Sequence, residues 1–271
     1  MLSERLLSIL RTSESDATAR FPPTEIFNEG WMLRLVLDAV ERIGLEDHPL
    51  SFLSGARWYS EALLLSPFRP RMRSDALGEG FTNADAVIGH FSFNLSTKAG
   101  LRLNSDAKQF VVVEAKMFSD LSKGTKNAPL YDQAARNVAC IAEAIAQAGK
   151  TIGDFPNLGF FVIAPAKEKR GNPNSNLEAS VAADSIRAAV ANRILSYEAG
   201  RREEARELRI WEQSFLLPLV QQLVATDRLG VLSWEACIAA IGDRDRNASA
   251  ELNAFYERCL TYGPGRGNKI G

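Results

Sequence analysis

The sequence predicts an α/β fold with a helical C-terminal region, and three observations point to it. A nearly unbroken apolar run, Gln109-Phe110-Val111-Val112-Val113, ends directly in Glu114-Ala115-Lys116. Short apolar segments and longer amphipathic or alanine-rich stretches succeed one another in the order helix, strand, strand, strand, helix, strand. From about Asn176 to Tyr262 the pattern is helical, with breaks near Gly200, Pro218, Gly230 and Gly242. The chain has 271 residues, of which 46% are hydrophobic, enough to build a sizeable core.

Each element has its own justification. Leu2 to Arg11 reads as a short helix, followed by a polar stretch and then Phe21-Pro22-Pro23, where the prolines reset the chain. Thr24 is the expected N-cap of an amphipathic helix from Glu25 to about Gly44, with Trp31, Leu33, Val36, Leu37 and Val40 on its apolar stripe. Glu29 precedes Leu33 and Val36 by four and seven places, so its side chain lies along the inward stripe. Ala62 to Phe68 is apolar and stopped by Pro67, which suits a strand, although a helix from Ser54 to Glu61 is an alternative for the preceding segment. Asp85 to Phe91 is a second strand with Asp85 at its start, and Lys98-Ala99-Gly100 suggests a turn before the third. Tyr131 to Gly149 is the clearest helix, and Leu158 to Ala164 the fourth strand.

The third strand carries the chemistry. Residues two apart share a face, so Phe110, Val112, Glu114 and Lys116 point one way and Val111, Val113, Ala115 and Met117 the other. A strand apolar on both faces rarely ends in two ionised groups unless they have partners, because an unpaired buried charge costs several kcal/mol or neutralises itself. A metal ion and a phosphate are suitable partners. Gln133, Arg136 and Asn137 project from one face of the following helix.

Composition excludes several classes. No apolar run approaches the roughly 20 residues needed to cross a bilayer, and Met-Leu-Ser-Glu-Arg is not a secretory leader, so a cytoplasmic location without a membrane partner is expected. Cys140, Cys237 and Cys259 are too scattered for a disulfide framework or a CxxC site. His48 and His90 lack ligand-spaced companions and read as structural. The net charge of −1 means that any nucleic-acid site is local, formed from Arg69, Arg71, Arg73, Lys98, Arg102, Lys108, Lys123 and Lys126.

Asp85 opening one strand, Glu114 and Lys116 closing the next, and Gln133 in the first turn of the next helix resemble the PD-(D/E)XK nuclease superfamily over approximately residues 24–165. The resemblance implies a restriction-endonuclease-like α-β-β-β-α-β core with a mixed sheet flanked by helices. It implies that Asp85 and Glu114 hold Mg²⁺, with Mn²⁺ able to substitute, and that the Ala115 carbonyl adds a ligand. Lys116 would be the catalytic cation, with Gln133 and Glu29 in support. Glu61 competes with Glu29 for the role of extra carboxylate. Ala84 stands where the family pattern has proline, and the 29 positions between Asp85 and Glu114 demand an extended hairpin. The implied division is an N-terminal helical extension (1–23), a nuclease-like core (24–170), a helical C-terminal region packed on it (171–262) and a flexible tail (263–271). The implied activity is hydrolysis of phosphodiester bonds in DNA rather than RNA by an endonuclease, with a homodimer as a possible assembly. The rivals are a non-cleaving nucleic-acid-binding protein of the same fold and a helical interaction protein whose acid and lysine form only a salt bridge.

Overall fold

The computed structural model describes residues 2–12, 20–73, 75–94, 96, 100–125, 128–170 and 175–262. After helix α1 (Leu2–Thr12), the first element of the main body is α2 (Glu29–Ile43). It starts later than Thr24 would have placed it. Asn28 is the cap, its side chain accepting from the Trp31 N–H, and Pro23–Glu25 form only a 3₁₀ turn. Gly44 closes the helix at φ 68°, a left-handed conformation in which a side chain would be strained. Met32, Leu33, Val36, Leu37, Ala39 and Val40 are buried, and each of the larger aliphatic ones contributes roughly 1.5–3 kcal/mol. Trp31, expected on this stripe, lies outside it and is exposed, with the Arg34 guanidinium 5.1 Å from its ring.

Three strands follow: β1 (Arg57–Leu65), β2 (Phe81–Gly89) and, after a small hairpin of β3 (Phe91–Phe93) and β4 (Leu101–Leu103), the fully buried β5 (Gln109–Ala115). That hairpin fills the long interval between Asp85 and Glu114. It joins at Gly89, where a Cβ would collide with the Gln109 carbonyl. Residues 57–61 are extended rather than helical. The turn expected at Lys98-Ala99-Gly100 falls mostly outside the described residues, as does the 263–271 tail.

Helix α3 (Gln133–Gln147) then crosses over to β6 (Asn157–Ala164). β1, β2 and β5 are antiparallel neighbours, and β6 lies parallel to β5, so the sheet is mixed. The C-terminal region is not purely helical. Besides α4 (Leu177–Ser180), α5 (Ala183–Ala199), α6 (Glu204–Trp211), α7 (Leu217–Ala225), α8 (Trp234–Gly242) and α9 (Arg246–Thr261), it supplies β7 (Leu229–Ser233), parallel to β6. The sheet order is β1-β2-β5-β6-β7. Gly230, expected to interrupt a helix, lies inside this fifth strand.

Two apolar cores sandwich the sheet. Phe110 and Val112 face α3, α5 and α7, whereas Val111, Val113, Ala115 and Met117 face α2, α8 and α9. This matches the division of faces expected from alternation. Among the described residues no helix is long and apolar enough to cross a membrane. Cys140, Cys237 and Cys259 are buried and free.

Candidate active site

Asp85 is the fifth residue of β2 rather than its first. Its position follows from a slip in side-chain alternation shared by two strands. Ala84 and Val87 pack on the α3 side while Ala86 packs on the α2 side, so a strict period of two fails between residues 84 and 86. In β1 the same change falls between Trp58 and Ala62. The β1–β2 ladder pairs Ser60 with Ala86 and Ala62 with Ala84 but leaves out Glu61 and Asp85, which face each other across it. Glu61 takes up the irregularity at φ 56°, a conformation uncommon for a non-glycine residue and one that concentrates at functional sites.

The slip coincides with a fork in the sheet. Pairing between β2 and β5 runs only from Gly89–Phe110 to Ala86–Val113. Beyond it the Asp85 side chain takes the place of a backbone acceptor, receiving the Ala115 N–H at 2.7 Å. The Lys116 N–H, one residue on, turns the other way and donates to the Ile163 carbonyl on β6 at 2.8 Å. By this alternation the Ala115 carbonyl also faces β2, on the side of Asp85.

Glu114 is fully buried at the fork. Gln133 Nε2 donates to one of its oxygens at 2.6 Å and Asn137 Nδ2 to the other at 2.7 Å, while Lys116 Nζ lies 3.5 Å away as an ion pair. Burial first, and the Asp85 carboxyl second, raise the Glu114 pKa to about 8; Lys116 and the Asn137 hydrogen bond oppose the shift. The two acids therefore face each other with too little positive charge between them, which favours the protonated form of Glu114. Asp85 and Lys116 are partly exposed, the Lys116 side chain by 13%, so solvent reaches the fork on their side.

Helix α3 sets the amide donors. Asp132 caps it, accepting from the Ala135 N–H at 2.9 Å, which starts the helix at Gln133 and places Asn137 one turn later on the same face. Gln133 also ties down the preceding loop: its Oε1 accepts from the Ser122 N–H and its own N–H donates to the Ser122 carbonyl. From the opposite side, Trp234 Nε1 donates to the Lys116 carbonyl at 3.0 Å. Asn137 was legible as a face-mate of Gln133. Nothing in the sequence signals the long-range bond from Trp234.

The structure thus brings Asp85, Glu114, Lys116 and Gln133 together. Glu29 stands elsewhere, at the start of α2, in a groove with Phe118 and Ser119. Glu61 lies in the same row as Asp85, but its carboxylate is engaged by Arg34 at 3.3 Å and Asn83 at 2.9 Å. Among the described residues no three His, Cys, Asp or Glu side chains gather as a metal group. Two carboxylates and a carbonyl nonetheless suit a hard divalent ion such as Mg²⁺, which commonly takes one or two protein carboxylates and completes its shell with water and phosphate oxygens. The mutual repulsion of Asp85 and Glu114 is what such a cation would relieve.

Other sequence candidates turn out to be structural. Tyr131, at the start of the predicted helix, is buried against Phe68 with ring centroids 5.3 Å apart. Arg136 has a buried Nε with no hydrogen-bond partner among the described residues. Arg69 pairs with Glu143, and Arg71 with Glu204 and Glu207, so nearby acids offset the charge both would bring to a basic patch. Lys98 and Lys126 lie outside the described residues. Burial lowers the His48 pKa to about 4, and its Nδ1 accepts from the Leu50 N–H. His90 Nδ1 accepts from Gln109 N–H and its Nε2 meets the Ser54 carbonyl. Comparisons with protein-family models, curated proteins and solved structures give no match.

Proposed function

We propose that this chain is a metal-dependent phosphodiesterase acting on nucleic acid, DNA before RNA, with the layout of a PD-(D/E)XK endonuclease. The observation that carries the reading is the meeting of Asp85 and Glu114 at the fork between β2 and β5, with Lys116 3.5 Å from Glu114. Asp85, Glu114 and the Ala115 carbonyl would hold Mg²⁺ or Mn²⁺. When bound, the ion supplies charge to a phosphoryl oxygen and acidity to a coordinated water.

The remaining work falls to the chain itself. Lys116, at the open side of the fork, sets an ammonium where negative charge grows as the water oxygen bonds to phosphorus and one bridging P–O bond breaks. The attacking water gives up one proton to solvent, and the departing oxygen takes one up from solvent. Gln133 and Asn137 hold the Glu114 carboxylate in one orientation. That same saturation favours a second reading, a binding protein that retains the scaffold without cutting, because Glu114 already has an amide on each oxygen.

Incubation of the purified protein with supercoiled plasmid, linear duplex, single strands and RNA in Mn²⁺ separates the two. Cleavage of plasmid that disappears with chelator and in Lys116→Ala supports the nuclease. Chelator-insensitive binding without cleavage of any substrate supports the scaffold. Cleavage undiminished in Asp85→Ala, Glu114→Ala and Lys116→Ala alike would refute the assignment of the site.

A further inference from the structure

The groove at the start of α2 has no role in the metal-centred reading. It encloses about 360 Å³ and is lined chiefly by Phe27, Asn28, Glu29, Phe118, Ser119 and Tyr262. Phe27 is itself buried, with Tyr262 stacked on it at 5.7 Å, Phe255 tilted 5.0 Å away and the Arg258 guanidinium 3.8 Å over its ring, so Phe118 is the wall that offers an open face. Phe118 is 38% exposed. An exposed phenylalanine at the lip of the groove loses apolar burial that a flat ligand would restore.

The polar side chains of the groove are not equivalent. Asn28 is fully committed, its Oδ1 accepting from the Trp31 N–H and its Nδ2 donating to the carbonyls of Thr24 and Glu25. The half-buried Glu29 carboxylate makes no hydrogen bond or ion pair among the described residues. A carboxylate beside an exposed aromatic face accepts hydrogen bonds. The ligand that fits is a flat ring with donors along one edge. Among nucleobases, guanine presents an N1–H and an N2 amino group side by side, two parallel donors matching the two oxygens of one carboxylate. Adenine and cytosine each offer one amino group beside an acceptor, and uracil a single N–H between two acceptors.

The groove lies beside the fork. Phe118 is two residues beyond Lys116 along the chain, and a Cβ on Gly30, next to Glu29, would stand 4.0 Å from Glu61 Oε1, across the β1–β2 ladder from Asp85. We propose that the groove is a base subsite, receiving an unpaired guanine of the strand held at Asp85 and Glu114; this rests on the nuclease reading for the identity of the ligand. A base that enters the groove has left any duplex stack. The substrate class is therefore single-stranded nucleic acid, or duplex with an extruded guanine.

The test measures binding apart from cutting. Guanosine 5′-monophosphate, with the adenosine, cytidine and uridine monophosphates as controls, is titrated into the full chain in chelator and followed by calorimetry. The expected result is guanine binding about tenfold tighter than the others, weakened about tenfold in Glu29→Gln and in Phe118→Ala and retained in Phe118→Tyr. Phe118→Leu, apolar but not flat, replaces Phe118→Ala if the latter does not fold, with the same loss expected. No guanine preference, or a preference untouched by both Glu29→Gln and loss of the Phe118 ring, overturns the subsite. In parallel, single-stranded oligonucleotides with and without one guanine are incubated with Mn²⁺. Guanine binding without cleavage of any strand sinks the nuclease reading and leaves the subsite standing. Cleavage without guanine preference, alongside equal binding of the four nucleotides, sinks the subsite and leaves the nuclease.

Discussion

Gln109 and Glu114 occupy the same strand, five residues apart, and both are fully buried, yet the protein treats them in opposite ways. Gln109 is matched by backbone: its Oε1 accepts from the Leu53 N–H at 2.8 Å and its Nε2 donates to the Ser51 carbonyl at 2.7 Å. It is neutral and pins the loop before β1. Glu114 is ionisable, is met only by side chains, and faces a second acid. Burial alone does not separate a structural polar group from a chemical one. The kind of partner does, because backbone partners fix a group in place whereas a cluster of side chains with an unresolved charge is poised to accept something more.

The largest expected difference between the two ends of β5 is functional. Asp85→Asn and Lys116→Ala should each lower Mn²⁺-dependent cleavage by more than about a hundredfold, whereas Gln109→Ala should still cut. In urea denaturation Gln109→Ala should lose about 1–3 kcal/mol, the cost of leaving buried backbone groups without a partner. Cleavage lost in Gln109→Ala at temperatures where it remains folded would erase the contrast.

A pH series sharpens it. The Glu114 pKa is raised from its ordinary 4.5 to about 8 in the folded chain, so the folded state holds the proton that the unfolded state releases. Its contribution to stability is complete below about pH 4.5 and is lost progressively as pH rises through about 8, a change on the order of a few kcal/mol. Metal-free protein should therefore lose stability over that range, and Glu114→Gln should flatten the dependence. Because the ion competes with this proton, added Mn²⁺ should raise the melting temperature more at pH 8.5 than at pH 6. Equal slopes in the parent and Glu114→Gln would contradict the assignment.

A smaller effect is expected from Asn137. Its amide favours the charged carboxylate, so Asn137→Ala should move Mn²⁺ binding to higher pH, read from titrations at several pH values. The smallest lies at Glu61, whose φ of 56° suits glycine better than a side chain. Glu61→Gly should stay within about 0.5 kcal/mol of the parent, since the exposed pair with Arg34 contributes less than about 1 kcal/mol. Glu61→Val, branched at Cβ, should lose about 1–2 kcal/mol.

The parts of this comparison that were legible in the sequence are those set by local pattern. The apolar run before Glu114 announced a buried strand, and alternation placed its side chains on the faces they occupy. Gln133 followed from the register of a strong helix. What was not legible depended on distant contacts or on backbone conformation. β7 has only five residues, contains Gly230 and follows the charged pair Asp227-Arg228, so it reads as a break; it becomes a strand because the β6 edge is there to pair with it. The slip at Glu61 and Asp85 leaves no trace, since neither residue type announces a left-handed or unpaired position. Thr24 and Asn28 are both good caps, and only tertiary packing selects between them. Arg69 and Arg71 look basic in sequence and prove to be paired with acids far along the chain.

The indole of Trp234 reaches across the molecule to hold the carbonyl of Lys116. The last quarter of the chain is thus part of the chassis on which Lys116 is mounted. A fragment ending at residue 170 would keep every candidate catalytic side chain, yet it would bare a parallel edge on β6 and free the strand tip that carries the ammonium. Shortening this protein to residues 24–170 would remove that brace while keeping Lys116 itself.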